Sequence, residues 1–320
     1  RVLNGEEKAK IYQQQGGLYM IKTMLDLVKR AELLSQKTMV VAAANDHPVL
    51  EAVVLAKEAN LIHPVLIGDQ KEIESILHEL KAKLSDYEII DVKDPVLASE
   101  QAVKRVSLGD GDILMKGFVD TSVILRAALD KEFGLRTPNR ISHVSVMEIP
   151  RYHKLLMMSD GAMNIDPDVN NKQEIIENGV EVLHAIGIKQ PKVGMIAAVE
   201  KVNPKMQATL DAVELIERNQ NNRIKGCTIG GPFALDNAIN EEAAHHKGIT
   251  DPMAGDVDFI VMPQIESGNV FYKSMMFLAD AKSASVIAGA RKPIVLTSRA
   301  DSKESKFYSI ALACLIAESK

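Results

Sequence analysis

This 320-residue sequence has few cysteines, few aromatic residues and no long apolar run, and each absence argues against a class of protein. It has only two cysteines, Cys227 and Cys314, so nothing indicates a disulfide framework, and we expect a reducing, cytoplasmic location. No apolar run is long enough to predict a membrane-spanning helix. Aromatic residues make up 4% of the chain and are not interleaved with basic ones, and the formal net charge is −5. This balance disfavours a nucleic-acid-binding protein.

The length suggests about two domains. Residues 1–19 differ from the rest because they are polar, show no strand period and lack an initiating Met. The Gly-Gly pair shortly before Met20 could be encoded by a ribosome-binding sequence, which makes Met20 the expected start. We therefore expect residues 1–19 to be a non-native or flexible leader that carries no site residue.

Apolar runs of strand length alternate with segments of helical period from residue 38 to the C-terminus. This alternation predicts parallel sheets flanked by helices, and therefore an α/β fold. No low-complexity linker separates the expected domains.

One apolar run, residues 294–296, ends in a cluster of polar side chains. It is followed by Thr297, Ser298, Arg299 and Asp301, and basic residues outnumber acidic ones around it although the whole chain is acidic. A buried strand that ends in a hydroxyl, a guanidinium and a carboxylate favours a site that faces an anion. A solvated surface after a strand would give the same pattern.

The sequence also repeats one pattern, in which a turn is followed by a strand, a short polar loop and a helix. The two copies begin with residues 109–116 and 255–262. In each copy we expect small polar residues to begin the helix, with a basic residue one turn later on the same face. Unpaired N–H groups at a helix start beside a cation favour the binding of phosphate or carboxylate. An ordinary helix cap followed by a surface cation would give the same sequence pattern. The residues concerned are Thr121, Ser122 and Arg126 in the first copy, and Asn269 and Lys273 in the second.

Two further segments have weaker patterns. The glycines of residues 230–238 could lie close to a ligand, but the G-x-G-x-x-G dinucleotide pattern is absent, and a loop before a helix capped by Asp236 would explain them. Asp251, Asp256 and Asp258 are the acidic residues that a metal site could use. Their spacing across a glycine turn favours turn and cap roles instead.

Taken together, these motifs resemble those of the phosphate acetyl/butyryltransferase family. The resemblance covers nearly all of residues 20–320 and rests on segments 114–117, 121–122, 125–127, 203–206, 231–236, 267–273 and 293–301. Segments 203–206, 247–249 and 296–301 are more similar to the butyryl branch. Acetyl members typically carry Asn-Asp-Leu-Ser-Arg-Gly in place of the last motif.

The resemblance implies the reaction of acyl-CoA with phosphate to give acyl phosphate and CoA. Coenzyme A is then a substrate, with no other cofactor and no metal. It implies two three-layer α/β domains of the isocitrate/isopropylmalate dehydrogenase type with a cleft between them, and a homodimer. We expect one domain to comprise residues 20–143 and 291–320, and the other residues 144–290.

The family pattern also implies roles for individual residues. Ser298 and Arg299 are expected to stabilise the CoA thiolate and the oxyanion. Phosphate or acyl phosphate is expected at Lys116, Thr121, Ser122, Arg126, Asn269 and Lys273, and CoA at Gly231, Asp236 and Arg291.

The general base is where the chain departs from the family pattern. Acetyl members have an aspartate seven residues after the motif serine, and here that position is Ser305. Glu304 or Asp301 could take the role, and we favour Glu304.

Three alternatives remain open at this point. The chain could be a phosphate acetyltransferase, or a dehydrogenase of the same fold that would need a nicotinamide loop and an acidic metal cluster. It could also be a CoA-binding regulatory module without turnover. The sequence does not predict the length or branching of the acyl chain.

Overall fold

The computed structural model describes residues 21–298 and 301–320, so the predicted leader lies outside the described residues. The described chain divides into two compact units. The first contains Met24–Pro138 and Ala284–Lys320, and the second contains Ile21–Thr23 and Asn139–Ser283. The chain passes between units after Pro138 and after Ser283, a few residues before the boundaries expected at 143 and 290.

The first unit is built around a mixed sheet. Its strands are ordered β3-β2-β1-β4-β11-β10, and all neighbours are parallel except β10 and β11. With elements numbered along the whole chain, it contains α1 Met24–Ala31, β1 Lys37–Ala42, α2 His47–Glu58, β2 Ile62–Gly68, α3 Gln70–Glu79, β3 Glu88–Asp91, α4 Pro95–Ser107, β4 Ile113–Lys116, α5 Thr121–Ala128, β10 Lys282–Ala288, β11 Ile294–Val295 and α11 Lys303–Ser319.

Local sequence explains where the first unit's helices begin. Asp46 and Asp94 each accept backbone N–H groups at the starts of α2 and α4, and each helix has a proline within its first two positions. Every residue of β4 is buried, as expected for a parallel strand covered on both faces. The core of this unit is therefore the β1–β4 region and the helices that cover it.

The second unit has strands ordered β5-β6-β9-β7-β8, and β5 and β6 are its antiparallel neighbours. Its core includes Met158, Phe233, Ile260 and Phe271. Its elements are β5 Ser142–Glu148, β6 Leu156–Ser159, α6 Val169–Ala185, β7 Lys192–Ile196, α7 Gln207–Gln220, β8 Thr228–Phe233, α8 Leu235–Ile239, α9 Glu241–His246, β9 Phe259–Val261 and α10 Ile265–Leu278.

The α/β prediction is confirmed, but the expectation of purely parallel sheets is wrong for β5–β6 and β10–β11. The segment predicted as a glycine loop is in part strand β8. A side chain at Gly230 would lie 2.6 Å from the Asp251 carboxylate and closer still to Met253, so close packing accounts for a glycine inside a strand. Asp236 does not cap the helix that follows, because Ala234 occupies the N-cap position and its side chain makes no capping hydrogen bond. Within residues 21–298 and 301–320, no helix has the length and apolar character needed to cross a membrane.

Candidate active site

The carboxyl ends of three parallel strands meet at one edge of the first unit's sheet. Strands β1, β4 and β11 are neighbours, with Ala42 paired to Lys116 and Ile294 paired to Leu114. The polar residues after β4 and β11 therefore emerge side by side. This edge is where ligands bind in open α/β sheets.

A cavity of about 130 Å³ opens at this edge. The lining combines two lysines and one carboxylate with hydroxyl groups, which gives a small, charged space. It is lined by Asp46, Pro48, Val49, Lys116, Gly117, Thr297, Ser298 and Lys306.

Lys116 lies at the last position of β4 and is 7% exposed. Its Nζ donates to the carbonyl oxygens of Gly117 at 3.1 Å and Val119 at 2.9 Å. Gly117 has to be glycine here, because an added Cβ would lie 2.2 Å from the Ala43 carbonyl oxygen. The close approach of the backbone at Gly117 to the backbone at Ala43 keeps the buried Lys116 ammonium at the cavity wall.

Lys306 is the second lysine of the cavity, and in the sequence it is one of the basic residues that follow residues 294–296. It lies in the first turns of α11, is 2% exposed, and its Nζ donates to the carbonyl oxygens of Ser298 at 3.2 Å and Asp301 at 2.6 Å. Burial lowers the pKa of Lys306, and the nearby Asp301 and Asp46 carboxylates oppose that shift. Its helical period could have identified it, since Lys306 shares the buried stripe of α11 with Ser309, Ile310 and Ala313.

Ser298 and Asp301 form a hydrogen-bonded turn after β11. The Ser298 N–H donates to Asp301 Oδ2 at 2.7 Å, and the Asp301 N–H donates to the Ser298 carbonyl oxygen at 3.2 Å. Arg299 lies outside the described residues, so its predicted role stays a prediction. Glu304 is exposed in the first turn of α11, whereas Ser305, at the expected position of the base, is buried. Among the residues described at the cavity, Asp46 supplies the carboxylate.

Helix α5 begins at the residues expected from the sequence. It begins at Thr121 and Ser122, and its cap residue Asp120 makes no side-chain hydrogen bond to the first turn. The N–H groups of that turn are therefore not used by a side-chain cap. Arg126 is exposed one turn further along, on the face that Ser122 occupies.

The second copy of the pattern does not form the predicted arrangement. Helix α10 begins at Ile265, earlier than expected, and Gln264 caps it by accepting the Ser267 N–H. The prediction that Asn269 begins this helix is therefore wrong. Asn269 lies in the second turn and donates to the Gly161 carbonyl oxygen at 3.1 Å, and Lys273 is exposed one turn later.

Of the three residues predicted to bind CoA, Gly231 and Asp236 belong to the second unit and Arg291 to the first. Gly231 has a φ of +124° within β8, and the exposed Asp236 forms an ion pair with Lys247 at 3.0 Å. The hydrogen bond from Lys247 lowers the pKa of Asp236. Arg291 precedes β11 and donates to Ser107 and to the Gly134 carbonyl oxygen, so it lies at the opposite edge of the sheet from Ser298.

The acidic residues that a metal-dependent dehydrogenase would need are used otherwise. Asp256 pairs with Lys154, Lys192 and His153, and Asp258 also pairs with Lys154. In the part of the chain that the structure describes, no group of three or more His, Cys, Asp or Glu side chains is placed to hold a metal ion. The turn interpretation is supported for Asp251 and Asp258, whose carboxylates accept the backbone N–H groups of Met253 at 2.9 Å and Lys192 at 2.8 Å.

Comparison with known proteins now decides the family. The model of the family described as "Phosphate acetyl/butaryl transferase" matches residues 22–100 and 92–314. The chain belongs to this family. The resemblance drawn from the motifs is thus confirmed.

Individual relatives within the family extend this result. A phosphate butyryltransferase from Clostridium beijerinckii is 47% identical over 298 residues, which is 93% of this chain and 99% of the relative. A phosphate acetyltransferase from Thermotoga maritima is also 47% identical, over 88% of this chain and 95% of the relative. The crystal structure of a branched-chain phosphotransacylase from Enterococcus faecalis has a TM-score of 0.79 at 33% identity, covering 88% and 99% of the two chains.

Proposed function

We propose that this protein is a phosphate acyltransferase that interconverts a short-chain acyl-CoA and phosphate with an acyl phosphate and CoA, and that its acyl group is butyryl or a branched short chain. The observation that carries the proposal is the small cavity in which buried Lys116 and Lys306 and the hydroxyl-bearing Thr297 and Ser298 meet at the carboxyl edge of the sheet. Such a cavity suits an anionic, oxygen-rich reacting centre.

In the direction of acyl-CoA synthesis, the first step is loss of the CoA thiol proton to a carboxylate. A free thiol has a pKa of about 8.5, and a nearby cation favours the thiolate near neutral pH. The thiolate sulfur then attacks the carbonyl carbon of the acyl phosphate, forming a carbon–sulfur bond and placing negative charge on the carbonyl oxygen. Arg299 and the Ser298 hydroxyl stabilise the thiolate and this oxyanion.

Collapse of that intermediate breaks the bond between the carbonyl carbon and the phosphate oxygen. Phosphate leaves as an anion toward the start of α5, where Thr121 and Ser122 offer N–H groups and Arg126 supplies a counter-charge. Lys116 lies at the end of the strand that leads into this loop and adds positive charge at the same place. The proposed reaction uses CoA as a substrate and needs no metal.

For the base we assign Asp46 in preference to Glu304. Asp46 lines the cavity, whereas Glu304 is exposed in the first turn of α11. The Asp301 carboxylate accepts the Ser298 N–H and is not among the described residues that line the cavity. Asp46→Asn separates the two roles of this residue, because asparagine caps a helix as well as aspartate but takes no proton. We expect kcat to fall by roughly 10²-fold with little change in thermal stability.

The acyl specificity rests on the names of the relatives and is the part that most needs measurement. Initial rates over acetyl-, butyryl-, isobutyryl- and isovaleryl-CoA, with phosphate as co-substrate, should give the highest kcat/KM for a butyryl or branched substrate. A maximum for acetyl-CoA would favour the phosphate acetyltransferase alternative, which the Thermotoga maritima relative supports. Binding of CoA without phosphate-dependent turnover would favour the regulatory module.

The roles given to Ser298 and Arg299 are tested by truncation. Arg299→Ala should lower kcat by roughly 10²–10³, the effect of losing one preorganised donor. Ser298→Ala should cost less, because its hydroxyl is a neutral donor. Full activity of Arg299→Ala would exclude this residue from the reaction.

Two wider properties belong to the same proposal. A cytoplasmic location is supported by the free state of both cysteines. A homodimer is supported by apolar side chains exposed on α10, where Phe277 is 69% and Leu278 is 84% exposed. Light scattering should give twice the chain mass, and Phe277→Asp should shift the protein toward the monomer.

A further inference from the structure

Lys306 has an unusual environment for a lysine. It is 2% exposed, and its Nζ donates to two backbone carbonyl oxygens rather than to a carboxylate. Moving an ammonium group out of water is costly unless its hydrogen bonds are replaced. Lys303, three residues earlier on the same helix, shows the ordinary alternative, since it is exposed and forms an ion pair with Glu51 at 3.0 Å.

Helix stability does not explain this position. Lys306 lies near the N-terminus of α11, where the helix dipole disfavours a positive charge. The Ser302 side chain already caps the helix by accepting the Ser305 N–H. A methionine or leucine would fill the same buried space without the cost of desolvation.

The two carbonyl groups that Lys306 holds are those of Ser298 and Asp301, the ends of the turn after β11. Arg299 lies between them in the sequence. One side chain therefore fixes both ends of the segment that carries the predicted catalytic residues. Lys306 also lines the cavity, together with Lys116 and Ser298, so its positive charge lies at the cavity wall.

We infer that Lys306 is a positioning residue of this site, which ties the Ser298–Asp301 turn to α11 and keeps a fixed positive charge beside the cavity. The inference rests on the proposed acyl transfer, because it assigns Lys306 to that reaction. Its effect should be on the chemical step, since Lys306 holds the Ser298 carbonyl oxygen and lies beside the cavity that Ser298 lines.

The test compares Lys306→Met with Lys303→Met, a matched lysine-to-methionine change on the same helix. The wild type is assayed first with butyryl-CoA and phosphate. We expect Lys306→Met to lower kcat by about 10²-fold while KM for CoA changes less than about threefold, since the loss falls on orientation and charge stabilisation. Lys303→Met should stay within about twofold of the wild type in both constants.

A purely structural role is separated by two additional measurements. The melting temperature of Lys306→Met should not fall in proportion to its activity, because methionine fills the site and removes a buried charge. In Lys306→Ala, ethylamine at millimolar concentration should restore part of kcat by replacing the ammonium. If Lys306→Met folds poorly, the alanine variant with and without amine decides the question.

The outcomes are distinct. An active wild type together with a Lys306→Met variant that keeps at least half of kcat overturns the inference. So does a folded Lys306→Ala variant that amine does not rescue at all. A wild type that transfers no acyl group from any of the four acyl-CoA substrates contradicts the proposed function itself, before any variant is measured.

Discussion

Asp112 and Asp258 occupy the same place in the two copies of the repeated sequence pattern, directly before β4 and β9. The Asp112 carboxylate accepts the Thr38 N–H at 2.9 Å near the start of β1, and its own N–H donates to the Thr38 carbonyl oxygen. Asp258 makes the same pair of hydrogen bonds with Lys192 at the start of β7, at 2.8 Å each. Before the strand, the two copies are therefore built alike.

After the strand the two copies diverge. Strand β4 ends in the buried Lys116, and α5 follows without a side-chain cap. Strand β9 leads to a helix capped by Gln264, with Gly268 packed against the Asp160 carbonyl oxygen. The repeat thus specifies the hydrogen bonds that join the start of each strand to its neighbour. The chemistry depends on the few residues that follow the strand.

The largest expected difference in activity is between variants of Lys116 and Lys273, the lysines of the two copies. Lys116→Met should lower kcat/KM by roughly 10³-fold, because it removes a buried positive charge from the cavity wall. Lys273→Met should change KM for phosphate less than about threefold, since Lys273 is exposed on a helix whose start is already capped. Steady-state kinetics of both variants gives the comparison. Equal losses would mean that α10 binds the anion as α5 does.

A second comparison concerns the stability of variants at Gly117 and Gly268, two glycines that are closely packed against backbone. An alanine Cβ at Gly268 would lie 2.2 Å from the Asp160 carbonyl oxygen, and one at Gly117 would lie 2.2 Å from that of Ala43. Each substitution should cost about 1–3 kcal/mol of unfolding free energy, because backbone must move in both cases. Denaturant melts measure this loss. Only Gly117→Ala should also lower kcat of the folded enzyme, and a similar kinetic loss in Gly268→Ala would contradict the division of roles.

The likeness before the strands can be tested with the two aspartates. Asp258→Ala and Asp112→Ala should each destabilise the protein, by about 1–2 kcal/mol, because each leaves a strand N–H without its acceptor. The Asp258 variant should lose more, since its side chain is less exposed and its ion pair with Lys154, at 2.7 Å, is shorter than that of Asp112 with Lys292, at 3.6 Å. Melting temperature is the readout, with kcat unchanged in both. A loss in one variant alone would show that the two turns are not equivalent.

The smallest effect concerns the exposed cation of the first copy. Arg126→Lys keeps the charge but loses the planar fork of donors, so KM for phosphate should rise about three- to tenfold. KM for CoA should change less. If the CoA constant alone moves, Arg126 belongs to the nucleotide site.

The sequence was sufficient for the alternation of strands and helices that defines the α/β class, and for the polar residues that follow β4 and β11, because both follow from periodicity. It did not show that β4 and β11 are neighbours, which depends on how the strands are ordered in the sheet. It was not sufficient for Asn269, because one turn of helix before it was assigned to a loop. The strand at 228–233 was missed since its glycines and proline are typical of turns, and only tertiary packing explains them. For Lys306, the helical period of α11 indicates a buried position, but the carbonyl groups that it binds are brought to it only by the fold.

The two cysteines have a consequence for a protein that handles acyl phosphates. Burial raises the pKa of Cys227 to about 11 and that of Cys314 to about 12. Both thiols therefore stay protonated and shielded near neutral pH, and a protonated thiol is a poor nucleophile. Activated acyl compounds readily modify accessible thiolates, so an enzyme that makes them risks acylating itself. Because both of its own thiols are buried and protonated, the thiol of CoA is the one that accepts the acyl group.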